Sequence, residues 1–242
     1  MKFTYQGYAQ LIELLRKNDY QITSYLEKTD HPKQVILRHD VDNSLEKALE
    51  FAIFEKSIGV QSTYYILLTS DFYNSASKHS RACIQAIHTN GHDIGLHFDE
   101  VAYNTFDAHE LVHSVEKEAQ IMRDFLGLEI KSVSMHRPSK TTLDSNYSFD
   151  TLINSYSQKY FNDYKYLSDS RMHWREDVET IINAQNHKKL HILTHPFWYS
   201  KHEKTREEHV RRFITSANEW RYDCMAENIR DLEAIVKRES IR

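Results

Sequence analysis

Val35-Ile36-Leu37-Arg38-His39-Asp40-Val41-Asp42 decides the fold. Its first three residues form a short apolar run that reads as a buried strand, and charged residues follow at once. Asn43 or Ser44 then caps LEKALEFAIFEKSIG (45–59), whose apolar spacing is helical and whose Gly59 is a natural stop. Outward from this strand–helix step the pattern repeats. An opening helix is expected around 7–18, a β-rich run at 62–68, a helix ending at Asn90-Gly91, and a strand from Ile94 to Phe98. A long helix over about 107–126 stops at Gly127 and precedes a strand at 130–136. Further strands are expected near 153–157, 165–168 and 189–195, and a closing helix from about 203 to 238. Strands alternating with helices indicate parallel βαβ units with right-handed crossovers, in one α/β domain over 1–242. About seven strands fit either a barrel-like (β/α) arrangement or a doubly wound sheet. Periodicity does not choose between them.

Composition excludes several classes. With 31 Lys+Arg against 35 Asp+Glu in 242 residues, the formal charge is −4, so no basic excess is available to neutralise nucleic-acid phosphates. A 40% hydrophobic and 27% charged chain is neither collagenous nor disordered. The two cysteines, Cys83 and Cys224, fit no ligand or redox spacing and read as free thiols in a reducing compartment. The opening residues have no apolar core of a signal peptide, and no stretch approaches the roughly 20 apolar residues that span a bilayer. A soluble, cytoplasmic protein is the expectation. The arginines at 206, 211 and 212 alternate with Glu207 and Glu208 at helical spacing, which reads as a solvated helix face.

In α/β folds of either kind, ligands bind at the carboxyl ends of the strands. Asp40 and Asp42 end the first apolar strand, His97 and Asp99 follow DIGL, and His136-Arg137-Pro138 follows SVSM. Asp169 follows KYLS, with Trp174 a few residues on, and His195-Pro196 follows HILT. Five strands thus deliver His, Asp or Arg to one rim. Asp40 and Asp42 share a strand face, and two carboxylates on one cavity need a cation or a shared proton between them. A bound divalent ion suits them, and the plainer alternative is a helix N-cap plus a solvated carboxylate. Imidazole and carboxylate donors together suit zinc and related ions. Arg137 offers a planar fork for a carboxylate, His195 a proton donor near neutrality, and Asp169 a partner to orient it. His92 lies at the wrong end of its strand and reads as structural.

These strand-end residues resemble the polysaccharide deacetylases, the NodB-homology or carbohydrate esterase family four group. The resemblance is to a bacterial branch linked to surface-polysaccharide gene clusters. It runs from about residue 34 to 200 on RHDVD (38–42), GHDIGLHFD (91–99), HRPS (136–139), DSRMHWRE (169–176) and LTHPFW (193–198), in family order. It implies a distorted (β/α) barrel with one divalent metal, usually zinc, that removes N-acetyl groups from amino sugars. By the same resemblance Asp40 is the general base, Asp42 and His97 are metal ligands, and Arg137 steadies the base. His195 is the general acid, Asp169 tunes it, and Trp174 lines the acetyl pocket. Trp198 is a further candidate for stacking on the sugar. The family's second metal histidine would stand at Val101, which cannot ligate. His136 is the substitute, with Asp99, His39 or water as alternatives. The expected partner is an N-acetylated sugar or glycan precursor. A non-catalytic sugar- or partner-binding protein and a small-amide metallohydrolase are the rival functions.

Overall fold

The computed structural model describes residues 1–27, 29–103 and 107–241. They group into two compact units, 1–201 and 202–242. In the first unit the strands are β1 (Gln21–Thr23), β2 (Gln34–Val41), β3 (Thr63–Leu67), β4 (Asp93–Asp99), β5 (Ser132–His136), β6 (Ile153–Asn154), β7 (Lys165–Ser168) and β8 (Lys189–Thr194). Every described pairing between them is parallel, in the order β6-β5-β4-β3-β2-β8-β7. This path forms a curled half-barrel with helices around it, a distorted α/β barrel. β1 was not foreseen. It pairs with β2 over Gln34–Ile36, on the edge that β3 takes over from Arg38, because β8 occupies the other edge. Three residues (Gln-Ile-Thr) are too few to show a period.

The helices α1 (Tyr5–Lys17), α2 (Leu45–Ser57), α3 (Lys78–Thr89) and α4 (Ala108–Leu126) follow the sequence signals closely. Ser44 caps α2 through Oγ, which accepts from Lys47 N at 3.2 Å. Asp107 caps α4, and Gly127 ends it in a left-handed conformation (φ 66°). Short helices α5 (Lys140–Asp144), α6 (Gln158–Asn162) and α7 (Val178–Ala184) complete the first unit. No described helix is long and apolar enough to cross a membrane. Cys83 and Cys224 are free thiols.

β2 is buried on both faces, and its alternation sorts two cores. Val35, Leu37 and Val41 join the main cluster with Ala48, Phe51 and Ala52 of α2. Ile36 belongs to a second cluster with Tyr25, Tyr65, Tyr160 and Tyr164. Arg38 and Asp40 follow Ile36 on that second face. Gly95, on β4, is required beside this cluster, since a Cβ there would fall 2.4 Å from the Tyr65 ring.

The second unit corrects one expectation. Instead of one helix over 203–238, α8 (Arg206–Ala226) is followed by α9 (Leu232–Ile235) and a 3-10 turn. Asn228 donates its side-chain amide to the Cys224 carbonyl at 2.9 Å, which competes with helix continuation. The chain then turns back. Tyr222 donates to Glu233 at 2.5 Å and to the Val236 carbonyl at 2.9 Å, and Arg238 grips Asp223 with two nitrogens. Along α8, Glu207 and Arg211 form the exposed i,i+4 pair expected of a solvated face.

Candidate metal and hydrolytic site

The carboxyl ends of β2, β4, β5 and β8 bring the strand-end residues together. β4 and β5 are in register through His97↔Ser134 and Asp99↔His136, so the two histidines stand two rungs apart on neighbouring strands, on the same face of the sheet. His97 Nε2 and His136 Nδ1 are 3.1 Å apart. Each also faces Asp42 Oδ1, at 3.2 Å and 3.4 Å respectively. These are the three donors anticipated from the sequence. The alternatives are occupied elsewhere: Asp99 accepts from Val101 N in the turn after β4, and His39 points to the helix side of β2.

The donor set fits a divalent ion. Two bonds of about 2.0–2.1 Å to one ion at about 90–110° place their outer atoms about 2.8–3.4 Å apart. The three measured separations fall in that span. Asp42 Oδ1 is a buried atom without a hydrogen-bond partner among the described residues. Burial alone would raise the Asp42 pKa. The contacts of His136 and His97 with its carboxylate and the charges of His97 and His195 outweigh that, holding it well below the usual carboxylate range.

Asp40 lies beside this cluster, its Oδ2 3.8 Å from His97 Nε2. Its partners differ from those expected. The cation against it is Arg38, whose Nη2 donates to Oδ2 at 3.1 Å, and Ser134 Oγ donates to Oδ1 at 3.4 Å. Arg38 is fully buried, reaches Ser155 at 2.8 Å and Tyr156 at 3.3 Å, and lies over the Tyr156 ring at 4.9 Å. Strand alternation puts residues 38 and 40 on one face, which was the available signal. Arg137 is exposed, with a left-handed backbone (φ 46°), and is not among Asp40's partners. It precedes Pro138, a position that disfavours the ordinary helical region.

His195 and Asp169 form a tight pair. Nδ1 of His195 is 2.6 Å from Asp169 Oδ1, and the backbone N of His195 donates to Oδ2 at 3.1 Å. Asp169 is wholly buried, and the His195 Nε2 points to within 3.9 Å of Asp42 Oδ2. Burial alone would lower the His195 pKa, but the charge and hydrogen bond of Asp169, then the charges of Asp42 and Asp40, raise it from 6.5 to about 9. A raised folded-state value means that the pair's contribution to folding is present below about 6.5 and is lost as pH rises through about 9. In the metal-free protein the His195 ring is therefore expected to titrate near pH 9 by NMR. Asp169→Asn should bring that midpoint down, and an unmoved midpoint would remove Asp169 as the cause.

A narrow cleft between these groups is lined by Asp40, Asp42, Asn43, Ser44, His195 and Phe197 among others. Phe197 was not foreseen as its aromatic wall. Trp174 and Trp198, the aromatic candidates, are half-buried and pack against the main apolar core. His92 is a buried structural residue as expected, its Nε2 2.9 Å from the Ala52 carbonyl.

No family model and no curated protein matches the chain. Among solved structures it is similar to the CE4 domain of a multidomain xylanase from the hindgut metagenome of Trinervitermes trinervoides. That likeness has 15% identity, covers 68% of this chain and 74% of the other, and has a TM-score of 0.43. It is also similar to a family 4 carbohydrate esterase from Bacillus anthracis, at 16% identity over 84% and 83% of the two chains, TM-score 0.42. A third is a peptidoglycan deacetylase from Bacillus subtilis, at 11% identity over 85% and 99%, TM-score 0.41. At such identities the chemistry has to be read from the side chains.

Proposed function

We propose that the chain is a metal-dependent hydrolase that removes the acetyl group from an N-acetylated amino sugar of bacterial surface-polysaccharide metabolism. One observation carries the reading. Ligand atoms of Asp42, His97 and His136 converge on one another, while Asp40 stands beside His97 and the Asp169–His195 pair reaches toward the Asp42 carboxylate. Asp42, His97 and His136 would hold one divalent ion, zinc in this proposal. Bound there, it supplies a Lewis acid for the amide carbonyl and lowers the pKa of water toward about 7.

The remaining roles belong to the chain itself. Asp40 takes the proton of the attacking water, with Arg38 and Ser134 fixing its carboxylate. His195, whose Nε2 points toward the Asp42 carboxylate, gives its Nε2 proton to the departing sugar amine. Asp169 keeps the ring in place through Nδ1. Water adds to the acetyl carbon, the C–N bond breaks, and acetate and the free amine leave. Phe197 walls the cleft.

Elemental analysis of wild type, Asp42→Ala and His97→Ala tests the ligand set. Near-stoichiometric divalent metal in wild type, lost in both variants, is expected, together with acetate release from N-acetylglucosamine oligomers. Wild type that takes up no metal even after supplementation would discard the mechanism. Sugar binding without acetate release would favour a non-catalytic binding protein.

A further inference from the structure

The β4–β5 ladder ends at the pair Asp99↔His136, so His136 stands on its last rung. On the other edge of β5, β6 pairs only with Ser132 and Val133. His136 therefore has ladder support from one neighbour alone among the described residues. Beyond this rung the two chains part. The β4 side enters a 3-10 turn, Glu100–Ala102, and the β5 side passes through Arg137-Pro138 into α5.

One side chain rejoins them. The Glu100 carboxylate accepts from the Ser139 backbone N–H through one oxygen and from the Thr142 hydroxyl through the other. Ser139 is also the N-cap of α5, its Oγ accepting from Thr142 N at 3.2 Å. The turn that follows His97 thus completes the cap of the helix that follows His136. Val101, in the same turn, is 74% exposed and brings nothing to the cleft.

We infer that Glu100 is a positioning residue for the His97–His136 pair, clamping the loop after β5 to the loop after β4 so that both ring nitrogens face Asp42. This rests on the metal reading proposed above. A clamp formed by ionic acceptors is stronger than a neutral one and holds the two loops at a fixed spacing. His136 needs it because its own strand ends there. Outer partners that orient ligands commonly change metal affinity by about 10–100-fold when removed.

Zinc affinity, measured by competition with a chromophoric chelator, tests this in wild type, Glu100→Ala, Glu100→Gln, His136→Ala and the Glu100→Ala/His136→Ala double variant. Glu100→Ala is expected to bind zinc about 10–100-fold more weakly. Glu100→Gln keeps one acceptor for Ser139 N and can donate to Thr142, so it should recover most of the loss. In the His136→Ala background the Glu100→Ala change should cost less than about threefold, because the residue being positioned is gone. Thermal melting of the metal-free proteins checks that each variant is folded.

An equal loss in both backgrounds would make Glu100 a general brace and overturn the inference. So would wild-type affinity in Glu100→Ala. If wild type itself binds no zinc, the metal reading and this inference fall together. If wild type binds and Glu100→Ala binds equally, only the inference falls.

Discussion

Asp40→Asn is expected to lower kcat by about 10²-fold or more while leaving the metal content of the protein unchanged. The substitution keeps the shape of the side chain and removes its basicity. Its carbonyl oxygen can still accept from Arg38, so Arg38 keeps a partner at the position where Nη2 now lies 3.1 Å from Oδ2. What disappears is the ability to accept a proton from water. The metal should stay, because the three converging donors are Asp42, His97 and His136. Steady-state kinetics beside elemental analysis separates the outcomes. Unchanged turnover would discard Asp40 as base. A loss of metal together with activity would instead move Asp40 into the ligand set, which its 3.8 Å separation from His97 Nε2 makes a pointed comparison. Arg38→Met should be worse for folding than for chemistry, since it leaves a buried carboxylate without its cation.

The contrast between Asp40 and Arg38 shows where sequence reasoning reaches and where it stops. Residues that follow an apolar strand are legible because the strand's end is legible, and parallel strands deliver those residues to one rim. Asp42, His97, His136, His195 and Asp169 all stand out as candidates in this way, and the structure links them by a chain of contacts. Arg38 lies inside the strand, where a charged residue looks like the beginning of the polar rim. Its partner is set by the face it shares with Asp40, while Arg137 drew attention by standing next to His136. Glu100 was illegible for a different reason. Its partners, Ser139 and Thr142, are 39 and 42 residues away, and nothing local marks a carboxylate that will cross to another loop. Phe197 and Trp198 are adjacent in sequence, and only the 3-10 turn at Pro196–Trp198 decides which of them lines the cleft. The closing helix was overextended because helical spacing persists past Ala226, whereas the stop depends on Asn228 and on the return of the chain.

The largest effect on stability is expected at Glu55, which the sequence presents as an ordinary charged position on α2. It is wholly buried. Tyr8 donates to Oε1 at 2.5 Å, and Ser62 and Tyr64 donate to Oε2 at 2.6 Å and 2.7 Å. His39 Nε2 is 3.0 Å from Oε1, and its Nδ1 is 2.6 Å from Thr194 Oγ1, next to His195. One carboxylate thereby ties α1, α2, β2 and β3, and through His39 it also reaches β8. Glu55→Ala removes the acceptor for four buried groups and leaves a void, so a loss of about 3–5 kcal/mol in urea unfolding is expected. Against a typical total of about 5–15 kcal/mol that is enough to threaten folding, and Glu55→Gln provides the milder variant. Burial alone would raise the Glu55 pKa. The charge and hydrogen bond of His39, the charge of His92 and the Ser62 hydroxyl overcome this and lower it from 4.5 to about 2. A depressed folded-state value places this contribution above about pH 4.5, from where it is lost as pH falls through about 2. The drop corresponds to about 3 kcal/mol. Wild type and Glu55→Gln should therefore differ most near neutrality and converge as the pH falls from about 4.5 to about 2. A gap that stays constant across that range would mean that the ionised carboxylate is not what the surrounding hydroxyls and His39 hold.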